Sequence, residues 1–154
     1  MSADVYQRQR SPGDWRWQEL DDDLFAYTVS RPASADAQGS KATVNLSLSG
    51  TIRPTEIERA LGTQMPTYTV TIARPNRDFL RAKEQLELFR TEWHMLLSEI
   101  REVHGEGCEI HLFPAVPCSV AVEIGRSLLP KSDPHLVVYD HDRKKDGFVR
   151  AMIV

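Results

Sequence analysis

Ile110-His-Leu-Phe-Pro-Ala-Val-Pro-Cys-Ser119 is an apolar, β-forming run that breaks at two prolines into small, helix-starting residues. Similar junctions stand at Asn45-Leu-Ser-Leu-Ser-Gly-Thr51, Tyr68-Thr-Val-Thr-Ile-Ala-Arg-Pro75 and His135-Leu-Val-Val-Tyr-Asp140. Two of these four junctions lead into amphipathic helical patterns. Strands that end this way and feed helices indicate an open α/β sheet whose strand ends converge on a crevice.

Working outward, Lys41 to Ser49 alternates Ala42, Val44, Leu46 and Leu48 with polar residues, which predicts a strand with one face inward. Before it, Leu24 to Ser30 carries Phe25, Tyr27 and Val29 at period two, another strand. Pro54 to Gly62 has Pro at its start, acids in its first turn and Gly at its end, so it predicts a short helix. Tyr68 to Ala73 is a third strand. From Asp78 the longest helix shows Phe79, Ala82, Leu86, Phe89, Trp93, Leu96, Ile100 and Val103 as one stripe. Its expected close is a left-handed cap at Gly105 or Gly107.

Cys108 to Phe113 is a strand, and Pro117 starts a helix expected to turn Val120, Ala121, Ile124 and Leu128 inward. Gly125 would let that helix approach the sheet closely. Leu136 to Tyr139 suits a central parallel strand, and Gly147 to Val154 a last strand. The predicted order is β-β-α-β-α-β-α-β-β. Residues 1 to 20 are polar and irregular except for Trp15 and Trp17, expected to dock on the body or on another subunit. Arg31 to Ser40, rich in Pro, Ala, Ser and Gly, is expected to be a mobile loop.

The chain has 154 residues, 41% hydrophobic and 27% charged, and fits one domain with an ordinary core. Its net charge of -3 offers no global attraction for duplex DNA, so any nucleic-acid ligand must be small and held locally. No apolar run is long enough to span a bilayer, and the first ten residues lack a signal-peptide core, so a cytoplasmic location is expected. Cys108 and Cys118 form no metal-ligand spacing and read as two reduced, partly buried thiols. No cofactor or metal is expected.

Helix N-termini present unsatisfied amides and a partial positive charge. At Pro114-Ala-Val-Pro-Cys-Ser119 such an end follows a strand, and Ser119 adds a hydroxyl, so a phosphate or a base edge would find donors there. Ser49, Gly50 and Thr51 offer similar groups at another strand end, while Arg74, Arg143, Lys144 and Lys145 supply charge. Either junction alone is equally a plain turn. Several of them on one edge of one sheet favour a binding site. A thiol nucleophile at Cys118 with His111 as base is disfavoured, since His111 lies inside an apolar strand and its face relative to Cys118 is not fixed by the sequence. His141-Asp142 has no further metal ligands at matching spacing. No Walker A, GxGxxG, GxSxG or HExxH pattern is present, so catalysis is not indicated.

Leu46-Ser-Leu-Ser-Gly-Thr-Ile52, the aromatic-striped helix, Ile110 to Arg126 and Leu136-Val-Val-Tyr-Asp140 together resemble the SAVED family. These are sensor domains of bacterial anti-phage effectors in CBASS and type III CRISPR signalling. The resemblance covers about residues 40 to 154, with 110 to 126 the most specific part. It implies an α/β fold, a CARF-like Rossmann-type, mostly parallel sheet flanked by helices. A whole SAVED domain is similar to two fused CARF-like units, and this chain is long enough for about one, the C-terminal half. Residues 1–23 would be an N-terminal extension and 24–154 the half-domain.

The resemblance further implies a cyclic oligonucleotide ligand, a cyclic tri- or tetra-adenylate, that drives self-association and switches on an effector. The effector, or the other sensor half, is expected on a separate chain. Ligand contacts would come from Ser49, Gly50 and Thr51, from Arg74, from Pro114, Ala115, Pro117, Cys118 and Ser119, and from Tyr139 with Arg143 and Lys144. Tyr139 would stack on a base. Two alternatives remain open at this level: a structural subunit that completes a sensor held by a partner, and a ring nuclease that degrades the messenger.

Overall fold

The computed structural model describes residues 4–9, 13, 15–21, 24–33, 39–129 and 131–154. Nine elements follow the predicted order: β1 (Thr28–Ser30), β2 (Lys41–Ser47), α1 (Pro54–Leu61), β3 (Thr67–Thr71), α2 (Lys83–His104), β4 (Glu109–Ala115), α3 (Cys118–Ser127), β5 (His135–Asp142) and β6 (Gly147–Ile153). They form one six-stranded sheet in the order β1-β3-β2-β4-β5-β6. The four inner strands are parallel because a helix carries the chain from each to the next. The two edge strands are antiparallel, β1 against β3 and β6 against β5. A tight turn makes the last pair: the Lys144 amide donates to Asp142 Oδ1 at 2.8 Å, and Asp146 takes φ 48°.

Two cores lie on the two faces of this sheet. On one, α2 and α3 cover Val44, Leu46, Val70, Ile110 and Leu112 with Leu86, Phe89, Trp93, Ile100, Val120 and Ile124. On the other, α1 brings Ile57 onto Phe113, Val137 and Tyr139. The polar residues of β2 therefore do not face water as the alternation predicts. Thr43, Asn45 and Ser47 are buried under the α1 face, which makes β2 a central strand buried on both sides.

Several boundaries shift for identifiable reasons. β1 begins at Thr28 rather than Leu24, because the β3 ladder ends at Thr71, opposite Thr28. Tyr27 still enters the core, where its hydroxyl donates to the Gln85 carbonyl at 2.8 Å. α2 begins at Lys83 rather than Asp78. The buried Gln85 side chain accepts from the amides of Arg81 and Ala82 and donates to the Phe79 carbonyl, capping the helix from inside. Val103 is exposed, and the stripe ends instead on buried His104, held by the Tyr68 hydroxyl at 3.0 Å. Gly105 closes α2 at φ 91° and ψ 158°, a positive φ but not the left-handed helical cap. Gly62 does close α1 in the left-handed conformation, at φ 70°.

On α3, Val120 and Ile124 are buried but Ala121 is exposed. A Cβ added at Gly125 would meet nothing within 4 Å, so no close approach depends on it. Both cysteines are free, Cys108 buried and Cys118 exposed. Trp17 packs partly against the main core, whereas Trp15 points away from it, 61% exposed. The mobility expected of the 31–40 loop falls largely on 34–38, outside the described residues. Among the described residues no helix is long and apolar enough to cross a membrane.

A polar relay runs over the α1 face at the amino-terminal half of β4. His111 bonds the Tyr139 hydroxyl at 2.9 Å and Glu109 at 2.8 Å, and Glu109 pairs with Lys41 at 3.1 Å. Burial pulls the His111 imidazole below its usual value, and with the nearby charges of Lys41 and Arg150 it outweighs the hydrogen bond and charge of Glu109. The hydrogen bond from Lys41 likewise holds the Glu109 carboxyl below its usual range. Both groups bind a proton less readily in the folded chain. Their contribution is therefore present at neutral pH and lost as pH falls, first through the imidazole range near about 6.5, then toward about 4. The melting temperature is expected to fall between pH 7 and pH 5, with a flatter curve for His111→Gln. Parallel curves for the two proteins would remove His111 as a cause.

Candidate ligand-binding site

The chain leaves β2 through α1 on one face of the sheet and leaves β4 through α3 on the other. Adjacent parallel strands whose crossovers diverge open a crevice at their carboxyl ends. Here that crevice lies between Ser47 to Thr51 and Ala115 to Ser119, where the Ile110 to Ser119 junction ends.

Hydrogen bonds tie three loops together at this point. The amides of Leu48 and Ser49 both donate to the Ala115 carbonyl, at 3.0 and 2.7 Å, and the Asn76 amide donates to the Leu48 carbonyl at 3.0 Å. Beneath them, buried Ser47 donates its hydroxyl to Asn45 Oδ1 at 2.8 Å and accepts from the Ile52 amide at 2.9 Å. Asn45 Nδ2 donates in turn to the Ile52 carbonyl at 3.1 Å. Two polar side chains on the hidden face of β2 thus fix the loop that carries Gly50 and Thr51. Among the described residues no backbone hydrogen bond takes the amides of Gly50 and Thr51, so both stay available at the rim.

Across the crevice, Pro117 is the N-cap of α3, extended at φ -64° and ψ 155°, with no side chain to cap the helix. The first turn is capped from elsewhere in the chain: the Ser119 amide donates to Gln7 Oε1 at 3.4 Å, and the Ser119 hydroxyl donates to the same oxygen. A cleft of about 260 Å³ opens beside this contact, lined by Gln7, Gln9, Ser49, Arg77, Pro117 and Cys118 among others.

The residues expected at the site divide into four groups, of which Tyr139 is the last. Ser49, Gly50, Thr51, Pro114, Ala115, Pro117, Cys118 and Ser119 come together at the switch point, although Pro117 and Ser119 are buried. Arg74 lies on the same rim one strand over, in a neighbouring depression of about 600 Å³ with Phe25, Asn76 and Phe79. Arg143 and Lys144 sit exposed in the β5–β6 turn and do not line the cleft.

Tyr139 does not reach the rim. β5 runs on to Asp142, which leaves Tyr139 mid-strand on the α1 face, 7% exposed. Its ring stacks on Phe113 at 4.4 Å and its hydroxyl is held by His111, so no ring face is free for a base. Sequence reasoning missed Arg77 and the glutamines. Arg74-Pro-Asn-Arg77 held a signal, since an Asn turn after a strand places two cations on one rim; the Asp78 amide does close on Asn76 Oδ1 at 2.9 Å. Nothing local marks Gln7, which meets Ser119 from 112 residues away.

An open α/β sheet with a crevice at its switch point is the class these features define. The family model of the SMODS-associated and fused to various effectors sensor domain, SAVED, matches residues 1–154. The chain belongs to the SAVED family.

No curated protein matches the chain by sequence. Among solved structures it is similar to the Acinetobacter baumannii Cap4 SAVED/CARF-domain containing receptor. With the cyclic trinucleotide 2'3'3'-cAAA, that receptor aligns with a TM-score of 0.61 and 13% identity over 90% of this chain. With 3'3'3'-cAAA the values are 0.60, 14% and 88%, and a further structure of the receptor gives 0.59, 17% and 86%. These likenesses concern the fold. The chain spans 26 to 29% of the length of those receptors.

Proposed function

We propose that this chain is a sensor subunit that binds a cyclic oligonucleotide messenger in the β2–β4 crevice, within a bacterial anti-phage defence system. The observation that carries the reading is the crevice itself, with open amides at Gly50 and Thr51, in a chain matched end to end by a sensor family. A cyclic oligoadenylate is the ligand class we favour, because Cap4 structures of the same fold are described with cyclic triadenylates. A protein of net charge -3 needs local donors for such a ligand. Gly50 and Thr51 would meet phosphate through their amides, and Arg77 and Arg74 would balance its charge. Signalling would proceed by assembly with itself and with an effector or second sensor half on another chain. The role is binding rather than catalysis.

Calorimetry with 2'3'3'-cAAA, 3'3'3'-cAAA and linear triadenylate tests the ligand class. A micromolar or tighter Kd is expected for a cyclic form, with little heat from the linear one. No heat from any of them would overturn the reading. Arg77→Ala is expected to weaken binding by about tenfold, the scale of one charge-assisted hydrogen bond, and to leave the melting temperature unchanged. Lys144→Ala, outside the cleft, is expected to bind as wild type. The opposite ranking would move the site to the β5–β6 turn. Recovery of intact cyclic ligand after incubation checks the absence of turnover.

A further inference from the structure

We infer that Asp4 to Gln9 is a strap seated in the place of a ligand anion, so that strap and messenger compete for the first turn of α3; this rests on the crevice being the ligand site. Gln7 is where the argument starts. Its carboxamide oxygen accepts from both the amide and the hydroxyl of Ser119, the pair of donors an anionic oxygen would use. The Ser119 hydroxyl also lies 3.4 Å from the Tyr6 carbonyl, so the strap surrounds it with acceptors. Ser119 is 2% exposed in consequence, and no ligand reaches it while the strap stays in place.

The strap has a second anchor independent of α3. Gln9 is polar yet only 5% exposed, and its Nε2 donates to the Leu80 carbonyl and to the Gln7 carbonyl, each at 3.3 Å. Leu80 lies in the loop between β3 and α2, so the strap bridges the two walls of the cleft, with Gln7, Arg8 and Gln9 along its lining. The two glutamine anchors are neutral carboxamides. A phosphate oxygen makes hydrogen bonds roughly twice as strong to the same donors, so an anionic ligand outcompetes a carboxamide where a neutral one does not. Competition of this kind lowers apparent affinity by the fraction of chains with the strap in place. Ligand binding would then free the 4–9 segment, turning occupancy of the crevice into a change at the surface.

Two substitutions in the full chain give opposite signs. Gln7→Ala removes the placeholder and is expected to bind 3'3'3'-cAAA about three- to tenfold more tightly. Gln7→Glu puts a carboxylate on the helix start, a better placeholder, and is expected to bind about tenfold more weakly. Gln9→Ala releases the strap without touching α3 and should shift affinity in the direction of Gln7→Ala. Hydrogen exchange adds a direct readout: on ligand addition, amides of residues 4–9 should exchange faster while those of Gly50 and Thr51 slow. Equal affinities in all four proteins would overturn the strap and leave the ligand site standing. Weaker binding by Gln7→Ala would make the strap part of the site and overturn competition. No binding by any of them would remove the strap together with the ligand reading.

Discussion

Ile124→Asp is expected to unfold the domain. Ile124 is 5% exposed on the inner side of α3, where it and Val120 anchor that helix to the main core. A carboxylate there loses its hydration among the apolar side chains of that core. The neighbouring position sharpens the effect, because Glu123 is already buried and its Oε1 takes the Arg90 guanidinium at 2.6 Å, while its Oε2 has no hydrogen-bond partner among the described residues. A second buried acid one residue on adds repulsion to desolvation. Burying an unpaired charge belongs to the mechanisms that cost more than about 4 kcal/mol, against a total domain stability of about 5–15 kcal/mol. Loss of a cooperative thermal transition by circular dichroism is the expected result. Ile124→Val, which removes one methylene, should cost only about 1 kcal/mol. A melting temperature within a few degrees of wild type for Ile124→Asp would mean that α3 does not pack as described.

The same helix shows how far the sequence carries. Val120 and Ile124 at a spacing of four, after a strand and a proline, place α3 and its buried side. The exposure of Ala121 and the burial of Glu123 are not in that pattern, since they depend on where α2 lies and on Arg90 meeting Glu123 from it. Element order was legible for a similar reason: each element carries its own period and punctuation, such as Pro54 and Gly62 around α1. The helix crossovers then leave little choice but parallel inner strands.

The site was legible only in part. Its rim came from local signals, small residues where apolar runs stop, and these do gather between β2 and β4. Tyr139 was misplaced because an apolar run does not show how far a strand continues; β5 holds its ladder with β6 through Asp142. Thr43, Asn45 and Ser47 looked like a solvent face because alternation cannot say that a second layer covers the polar side. The strap was invisible, since a contact between Gln7 and Ser119 is a property of the closed chain and of no window along it.

Ser47→Val is expected to damage stability and ligand binding together, and it is the sharpest test of the site as built. Ser47 is 3% exposed, and valine fills its place with a strand-forming side chain but no hydroxyl. The Ile52 amide then loses its acceptor and Asn45 Oδ1 loses its donor. Each buried group left unpaired costs about 1–3 kcal/mol, so a total of about 2–4 kcal/mol is expected by urea denaturation. Only Asn45 Nδ2 on the Ile52 carbonyl would still hold the far end of the loop, without the Ser47 hydroxyl that orients it, so the firm tie left is that of the Leu48 and Ser49 amides on the Ala115 carbonyl. Gly50 and Thr51 lie beyond that tie, so their amides lose their fixed positions and affinity for 3'3'3'-cAAA should fall by at least about tenfold, or 1.4 kcal/mol. Ser47→Thr keeps the hydroxyl and should retain most of both. If Ser47→Val lost stability while binding as wild type, the β2–α1 loop would carry no ligand contact, and the crevice would have to bind through its α3 wall alone.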